Sequence, residues 1–141
     1  MNQSTFQINA LIFLTVFFLY ACSGKSLQAN PGTSNIPAYQ KISAETAFEM
    51  MQKSDSFILL DVRTEQEFLD SHITGAILLP VQELENIVVS KLPEKNTLIL
   101  IYCRSGIRSS NAAKILAEKG YTNVFDFGGI VDWPYETTSV N

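Results

Sequence analysis

Along residues 39–141 the apolar positions switch repeatedly between two periods. Ala44, Ala47, Phe48 and Met51 recur at helical spacing behind Ser43, a residue suited to cap a helix N-terminus. Phe57-Ile58-Leu59-Leu60 is an unbroken apolar run that ends in Asp61-Val62-Arg63. A short run without alternation predicts a strand covered on both faces. Thr64 to Glu67 reads as a capping box opening a short helix that carries Phe68 and Leu69. Gly75 to Leu79 is a further short apolar run, stopped by Pro80. Leu84, Ile87 and Val88 mark another helix, and Pro93 to Asn96 a turn. Leu98 to Tyr102 is the strongest strand pattern in the chain. Ser109 to Lys119 predicts a helix with Ala112, Ala113 and Leu116 inward and Gly120 as its stop. Val124 to Phe127 is the last predicted strand. Strands alternating with helices imply an α/β domain with a parallel sheet. Ligands in such sheets bind beyond the carboxyl ends of the strands. That rule singles out Asp61-Val62-Arg63 and the loop beginning at Cys103.

The first 38 residues follow a different pattern. Ala10 to Ala21 reads ALIFLTVFFLYA, which is shorter than the roughly 20 apolar residues a spanning helix needs. It fits the apolar region of a signal peptide. Leu19-Tyr20-Ala21-Cys22 resembles the lipobox of bacterial lipoproteins, in which a small residue precedes a cysteine that becomes lipidated. On that resemblance residues 1–22 are a signal segment and Cys22 is a lipid anchor, with the chain on a membrane of a bacterial envelope, facing the periplasm or the exterior. Tyr20 is bulkier than the usual residue at its place, and no Lys or Arg precedes the run. The alternative is an apolar anchor that is never cleaved. Residues 23–38 are rich in Gly, Ser, Asn and Pro and read as a flexible tether. A coil of that length reaches roughly 20–24 Å.

Composition narrows the chemistry. Hydrophobic residues make up 46% and charged residues 17%, which suits a packed globule and not a disordered chain. A formal charge of −4 offers no basic field for nucleic acid. One histidine and two cysteines cannot close a zinc site, so neither metal nor cofactor is expected.

Cys103-Arg104-Ser105-Gly106-Ile107-Arg108 lies between the strongest strand and a helix. A strand–loop–helix turn directs successive backbone N–H groups inward and makes an anion cradle. A cysteine at its base faces the positive end of the helix, which favours the thiolate. Gly106 permits the tight backbone such a loop needs. Arg104 and Arg108 present guanidinium forks suited to sulfur or phosphorus oxyanions.

With the loop goes LLDVRTEQEFLDSHITGAILLP upstream and LIYCRSGIRSSNAAKILAEKGYTNVFDFGGIVDW around and beyond it. Together these resemble a single-domain rhodanese over roughly Lys41 to Trp133. The resemblance implies a three-layer α/β/α rhodanese-like fold with a five-stranded parallel sheet. It implies that Cys103 takes the outer sulfur of an anionic donor such as thiosulfate as a persulfide and passes it to a thiophilic acceptor. The loop from Arg104 through Ser105, Gly106, Ile107 and Arg108 to Ser109 would hold the anionic sulfur with its amides. Arg108 would bind the donor oxyanion, Arg104 would steer charge at the mouth, and Asp61 and Arg63 would brace the loop. A related phosphatase family shares the fold but spaces its cysteine and arginine one residue further apart than Cys103 and Arg108, which disfavours a phosphate ligand here.

Blander readings stand beside these. A cysteine at a strand end is often a small buried hydrophobe. His72 is read as a structural hydrogen-bonding residue, Gly128-Gly129 as a backbone turn and Trp133 as a core or rim aromatic. The alternative functions are a non-catalytic binding or regulatory module and an envelope sulfur carrier. Retention of Cys103 with both arginines favours the enzyme.

Overall fold

The computed structural model describes residues 39–140. The expectations for the signal segment 1–22, for Cys22 and for the tether 23–38 lie outside the described residues. Strand β1 (Tyr39–Lys41) leads to helix α1 (Ala44–Lys53), β2 (Ile58–Asp61), α2 (Glu65–Asp70), β3 (His72–Ile73) and β4 (Ile77–Leu78). Then come α3 (Val81–Lys91), β5 (Ile99–Cys103), α4 (Ile107–Glu118), β6 (Val124–Gly129), a 3-10 turn (Ile130–Asp132) and β7 (Thr137–Thr138).

Five strands form one sheet in the order β1-β6-β5-β2-β4, and every pair in it is parallel. The expected α/β architecture is therefore the observed one. The unbroken apolar runs have their explanation in the two cores. Leu60, Ile99, Ile101 and Cys103 face one cluster, built with Leu84 and Val88 of α3 and Ala112, Ala113 and Leu116 of α4. Leu59, Leu100 and Tyr102 face the other, built with Ala44 and Ala47 of α1, Phe127 and Trp133. Successive strand residues point to opposite faces. Both faces are covered, so every residue of β5 is buried.

The local signals hold. Ser43 Oγ accepts the Thr46 N–H at the start of α1, and Thr64 and Glu67 make the reciprocal capping box of α2. Three features differ from the expectation. β1 is a strand of three residues with only Tyr39 buried, too short to show a period. β3 and β7 pair antiparallel in a small second sheet that joins residues far apart in the chain, His72 with Thr138 and Ile73 with Thr137. Gly128 and Gly129 are not a free turn but the end of β6, with Gly129 opposite Cys103 in the sheet.

Asp61 and Arg63 form a buried ion pair at the end of β2. Arg63 Nη2 lies 2.7 Å from Asp61 Oδ2, and Nε and the backbone N–H also donate to the carboxylate. The same Nη2 donates to the Ser71 carbonyl at 2.7 Å. Burial works against the guanidinium charge, and Asp61 outweighs it, so the net shift is upward. The pair thus ties the end of β2 to the C-terminus of α2. Removing one partner of a buried pair leaves the other charge uncompensated. Asp61→Ala is expected to lower unfolding stability by about 3–5 kcal/mol. A urea titration would read this as a lower midpoint with little change in slope. An unchanged midpoint would mean that Arg63 finds its compensation elsewhere.

Candidate active site

Cys103 is the last residue of β5 and Ile107 the first of α4, so only Arg104, Ser105 and Gly106 make the turn. Gly106 caps the helix with φ of +95°, a left-handed conformation that side chains other than glycine rarely adopt. This places the Gly106 N–H 3.1 Å from Cys103 Sγ, to which it donates. Cys103 is a free thiol with 1% of its surface exposed, so its sulfur lies at the floor of the loop. Burial alone would push the thiol pKa up. The amides of Ser109, Ser105 and Gly106 and the Ser109 hydroxyl reverse that, and the net shift is downward. The helix began two residues earlier than the apolar pattern suggested. That is why the amide of Ser109, in its first turn, reaches back to the sulfur.

Of the six residues expected to cradle the sulfur, Gly106 donates its amide to it, and the amides of Ser105 and Ser109 favour its anionic form. The Arg104 carbonyl accepts the Val131 N–H at 3.3 Å, and the Arg104 side chain is exposed. Ile107 is 80% exposed at the rim. Arg108 is held differently from the expectation. Its Nη1 and Nη2 donate to Glu67 Oε2 and Oε1 at 2.6 and 2.7 Å. A bidentate fork of this kind is among the stronger charge-assisted contacts. The Arg108 guanidinium holds the Glu67 carboxyl down at about 2. Glu67 and, less strongly, the sulfur of Cys103 raise the Arg108 pKa in turn. The charge pair therefore persists throughout the neutral range. Glu67 was legible only as a cap, because the contact joins residues 41 apart.

The support of the loop also comes from an unexpected quarter. Asp61 and Arg63 stabilise the α2 segment, as described, and make no hydrogen bond to the cysteine loop. Their influence on the site runs through α2, which carries Glu67. The loop itself rests on the end of β6. A Cβ on Gly129 would lie 2.4 Å from the Arg104 carbonyl oxygen and 2.8 Å from Ser105 Cα, so only glycine permits this approach. Asp126, 3% exposed, accepts the Gly128 N–H on Oδ1 at 3.1 Å. Ser109 Oγ lies 3.3 Å from the Gly128 carbonyl and 3.1 Å from that of Gly106. A chain of contacts thus links Asp126, Gly128, Ser109 and the sulfur. The sequence offered a signal for it in the Asp-Phe-Gly-Gly run after an apolar strand, where a buried carboxylate needs a donor.

His72 Nδ1–H donates to the Phe68 carbonyl at 2.8 Å and its ring stacks on Phe68, which matches the structural role read for it. Trp133 packs in the second core. Among the described residues, no three His, Cys, Asp or Glu side chains gather as metal ligands would.

The arrangement can hold a sulfur anion without a metal or a second thiol. Its thiol should ionise below the ordinary cysteine range. Alkylation at Cys103, followed by peptide mass mapping against pH, is expected to keep its rate below that range and to fall only as pH drops through the lowered pKa. Asp126→Ala should move that midpoint up by about 1, since a lost hydrogen bond to the supporting strand is worth about that much. Asp126→Asn keeps the Oδ1 acceptor and should restore most of it. Equal midpoints for Asp126→Ala and wild type would exclude the link.

Known proteins are similar to this chain in sequence and in architecture. Residues 43–135 match the rhodanese-like domain family. The thiosulfate sulfurtransferase PspE of Escherichia coli K12 is 37% identical over 73 residues, covering 52% of this chain and 70% of that protein. The thiosulfate sulfurtransferase GlpE of Haemophilus influenzae strain 86-028NP is 35% identical over 107 residues, covering 72% and 98%. Among solved structures, a rhodanese with anions from E. coli superposes with a TM-score of 0.56 at 32% identity, over 60% of this chain and 99% of that one. A rhodanese-related protein from Thermoplasma volcanium gives 0.61 at 27% identity, over 73% and 100%. With the family match spanning well over half of its length, the chain belongs to the rhodanese-like domain family.

Proposed function

We propose that this domain is a thiosulfate sulfurtransferase-like enzyme that carries sulfur on Cys103. The observation that supports this most is a buried thiol at the floor of the loop that accepts the amide of the left-handed Gly106 cap at 3.1 Å. Relatives named thiosulfate sulfurtransferase support the donor class. In the first half-reaction the Cys103 thiolate attacks the outer sulfur of thiosulfate. The S–S bond of the donor breaks, sulfite leaves with the electron pair, and Cys103 becomes a persulfide. In the second, a thiophilic acceptor attacks the outer sulfur and the Cys103 thiolate leaves. The reaction is covalent catalysis in two steps, so ping-pong kinetics follow.

The amides of Ser105, Gly106 and Ser109 hold the sulfur anion in both states. Arg104, exposed at the rim and without a charged partner among the described residues, receives the donor oxyanion. Arg108, occupied by Glu67, supplies a fixed dipolar pair beside the thiolate in place of a free cation. Incubation with thiosulfate should add the mass of one sulfur atom to the intact protein, and Cys103→Ser should abolish the gain. Thiocyanate formation from cyanide would then demonstrate turnover. A wild-type protein that gains no sulfur from any donor would leave a binding module instead.

We further propose that Cys22 anchors the chain to a bacterial envelope membrane as a lipoprotein. The apolar run ending in Ala21-Cys22, with a polar stretch after it, supports this. Expressed in a bacterium, the protein should enter the membrane fraction with an acylated Cys22 at its mature N-terminus. Cys22→Ser should accumulate as the uncleaved chain. An unmodified N-terminus starting at Met1 would reject the anchor.

A further inference from the structure

On the other side of the cysteine loop from Glu67 lies a cleft of about 600 Å³ that the reaction as described does not use. It starts at Ser105 and Gly106 on the lip of the loop and runs along α4 past Asn111 to Lys114, with Lys41 of β1 on its far wall. From Ile107 to Lys114 the helix rises about 10 Å. Lys41 and Lys114 are exposed and neither has a charged partner among the described residues. The only acid in the lining, Asp126, is buried, and one of its oxygens is engaged by Gly128. The cleft is therefore cationic in a chain of formal charge −4. Two other clefts are the reverse. One between β4 and α3 carries Glu65 and Glu83 against Lys91, and one under the aromatic side chains of Trp133 and Tyr135 carries Glu136 alone.

A small donor such as thiosulfate occupies only the loop and does not need a channel of this length. The geometry points to this cleft as the seat of the sulfur acceptor, and to that acceptor as a cysteinyl peptide bearing carboxylates about 10 Å from its thiol. This rests on the sulfurtransferase reading and names its second substrate. The carboxylates lie between the ammonium groups of Lys41 and Lys114, and backbone amides of the peptide meet the Asn111 side chain and the Ser105 hydroxyl. The peptide's thiolate is then delivered to the lip of the loop. It attacks the outer sulfur of the Cys103 persulfide, the S–S bond breaks, Cys103 leaves as thiolate, and the peptide departs as a persulfide. No external oxidant or reductant is required.

The test compares two synthetic peptides, Cys-Gly-Gly-Asp-Asp, whose aspartates begin about 10 Å along an extended chain from the cysteine, and Cys-Gly-Gly-Asn-Asn. Binding is read by fluorescence anisotropy of labelled peptide on the full chain, and transfer by sulfur lost from thiosulfate-loaded protein. The acidic peptide is expected to bind and react roughly three- to tenfold better at low salt, with the advantage shrinking as ionic strength rises. In the Lys41→Ala/Lys114→Ala variant the acidic-to-neutral ratio should fall to about one, and in Lys41→Glu/Lys114→Glu it should invert. The ratio is taken within each protein, so a partial loss of folded protein cancels. A ratio of one in the wild type, or a ratio that survives charge reversal, overturns the proposal. Failure of thiosulfate to load sulfur would instead defeat the sulfurtransferase reading, and the binding arm would still decide whether the cleft takes acidic peptides.

Discussion

A negative sulfur at the bottom of a packed sheet is an expensive object, and the structure is organised around offsetting that expense. Cys103 belongs to the same buried cluster as Leu60, Ile101 and Leu116. In those surroundings an ordinary thiol would keep its proton. The Gly106 amide, with those of Ser105 and Ser109 and the helix N-terminus behind it, tips the balance the other way. None of these donors is a charged side chain. They are backbone groups whose positions are set by where β5 stops and how sharply the chain turns into α4. A cradle made of backbone is only as good as the support beneath it.

That support explains features that would otherwise be unrelated. The parallel sheet puts the ends of β2, β5 and β6 side by side, and each contributes differently. β5 ends in the thiol. β6 ends in the glycine that lets the turn settle onto it, and its buried Asp126 fixes the strand end. β2 ends in the Asp61–Arg63 pair, which holds the segment that presents Glu67 to Arg108. A mutation in any of the three would reach the sulfur through the backbone without touching it. The two cores on opposite faces of the sheet keep these strand ends in register.

What could be read from the sequence follows a physical division. Caps, apolar runs and the cysteine loop are local, and their signals lie within a few residues. Ser43, Thr64 and the Leu98–Tyr102 run therefore led to the right elements. The contacts that escaped are between residues far apart in the chain. Glu67 and Arg108 each have a sufficient local explanation, one as a cap and one as a loop cation, and nothing local says that they meet. Gly129 reads as a turn because its true constraint is the carbonyl of Arg104, in the loop after a different strand. β1, β3 and β7 are two or three residues long, too short for any period, and exist because the neighbouring strand offers them hydrogen bonds.

The pairing of Arg108 with Glu67 bears on how one site serves two half-reactions. A thiolate and a persulfide each carry one negative charge, but the charge sits one atom further out in the persulfide. A free guanidinium aimed at that outer atom would hold the persulfide more tightly than the thiolate. The first half-reaction would gain, and release to the acceptor would lose by the same amount. A guanidinium shared with a carboxylate of pKa about 2 acts more weakly on the sulfur, and its preference for one state over the other is correspondingly smaller. The positive charge left without a carboxylate partner among the described residues of the loop is Arg104 on the rim, the place proposed above for the oxyanion of the donor. On the proposed reading, the buried backbone donors favour the sulfur anion and the exposed charges bear on what approaches it.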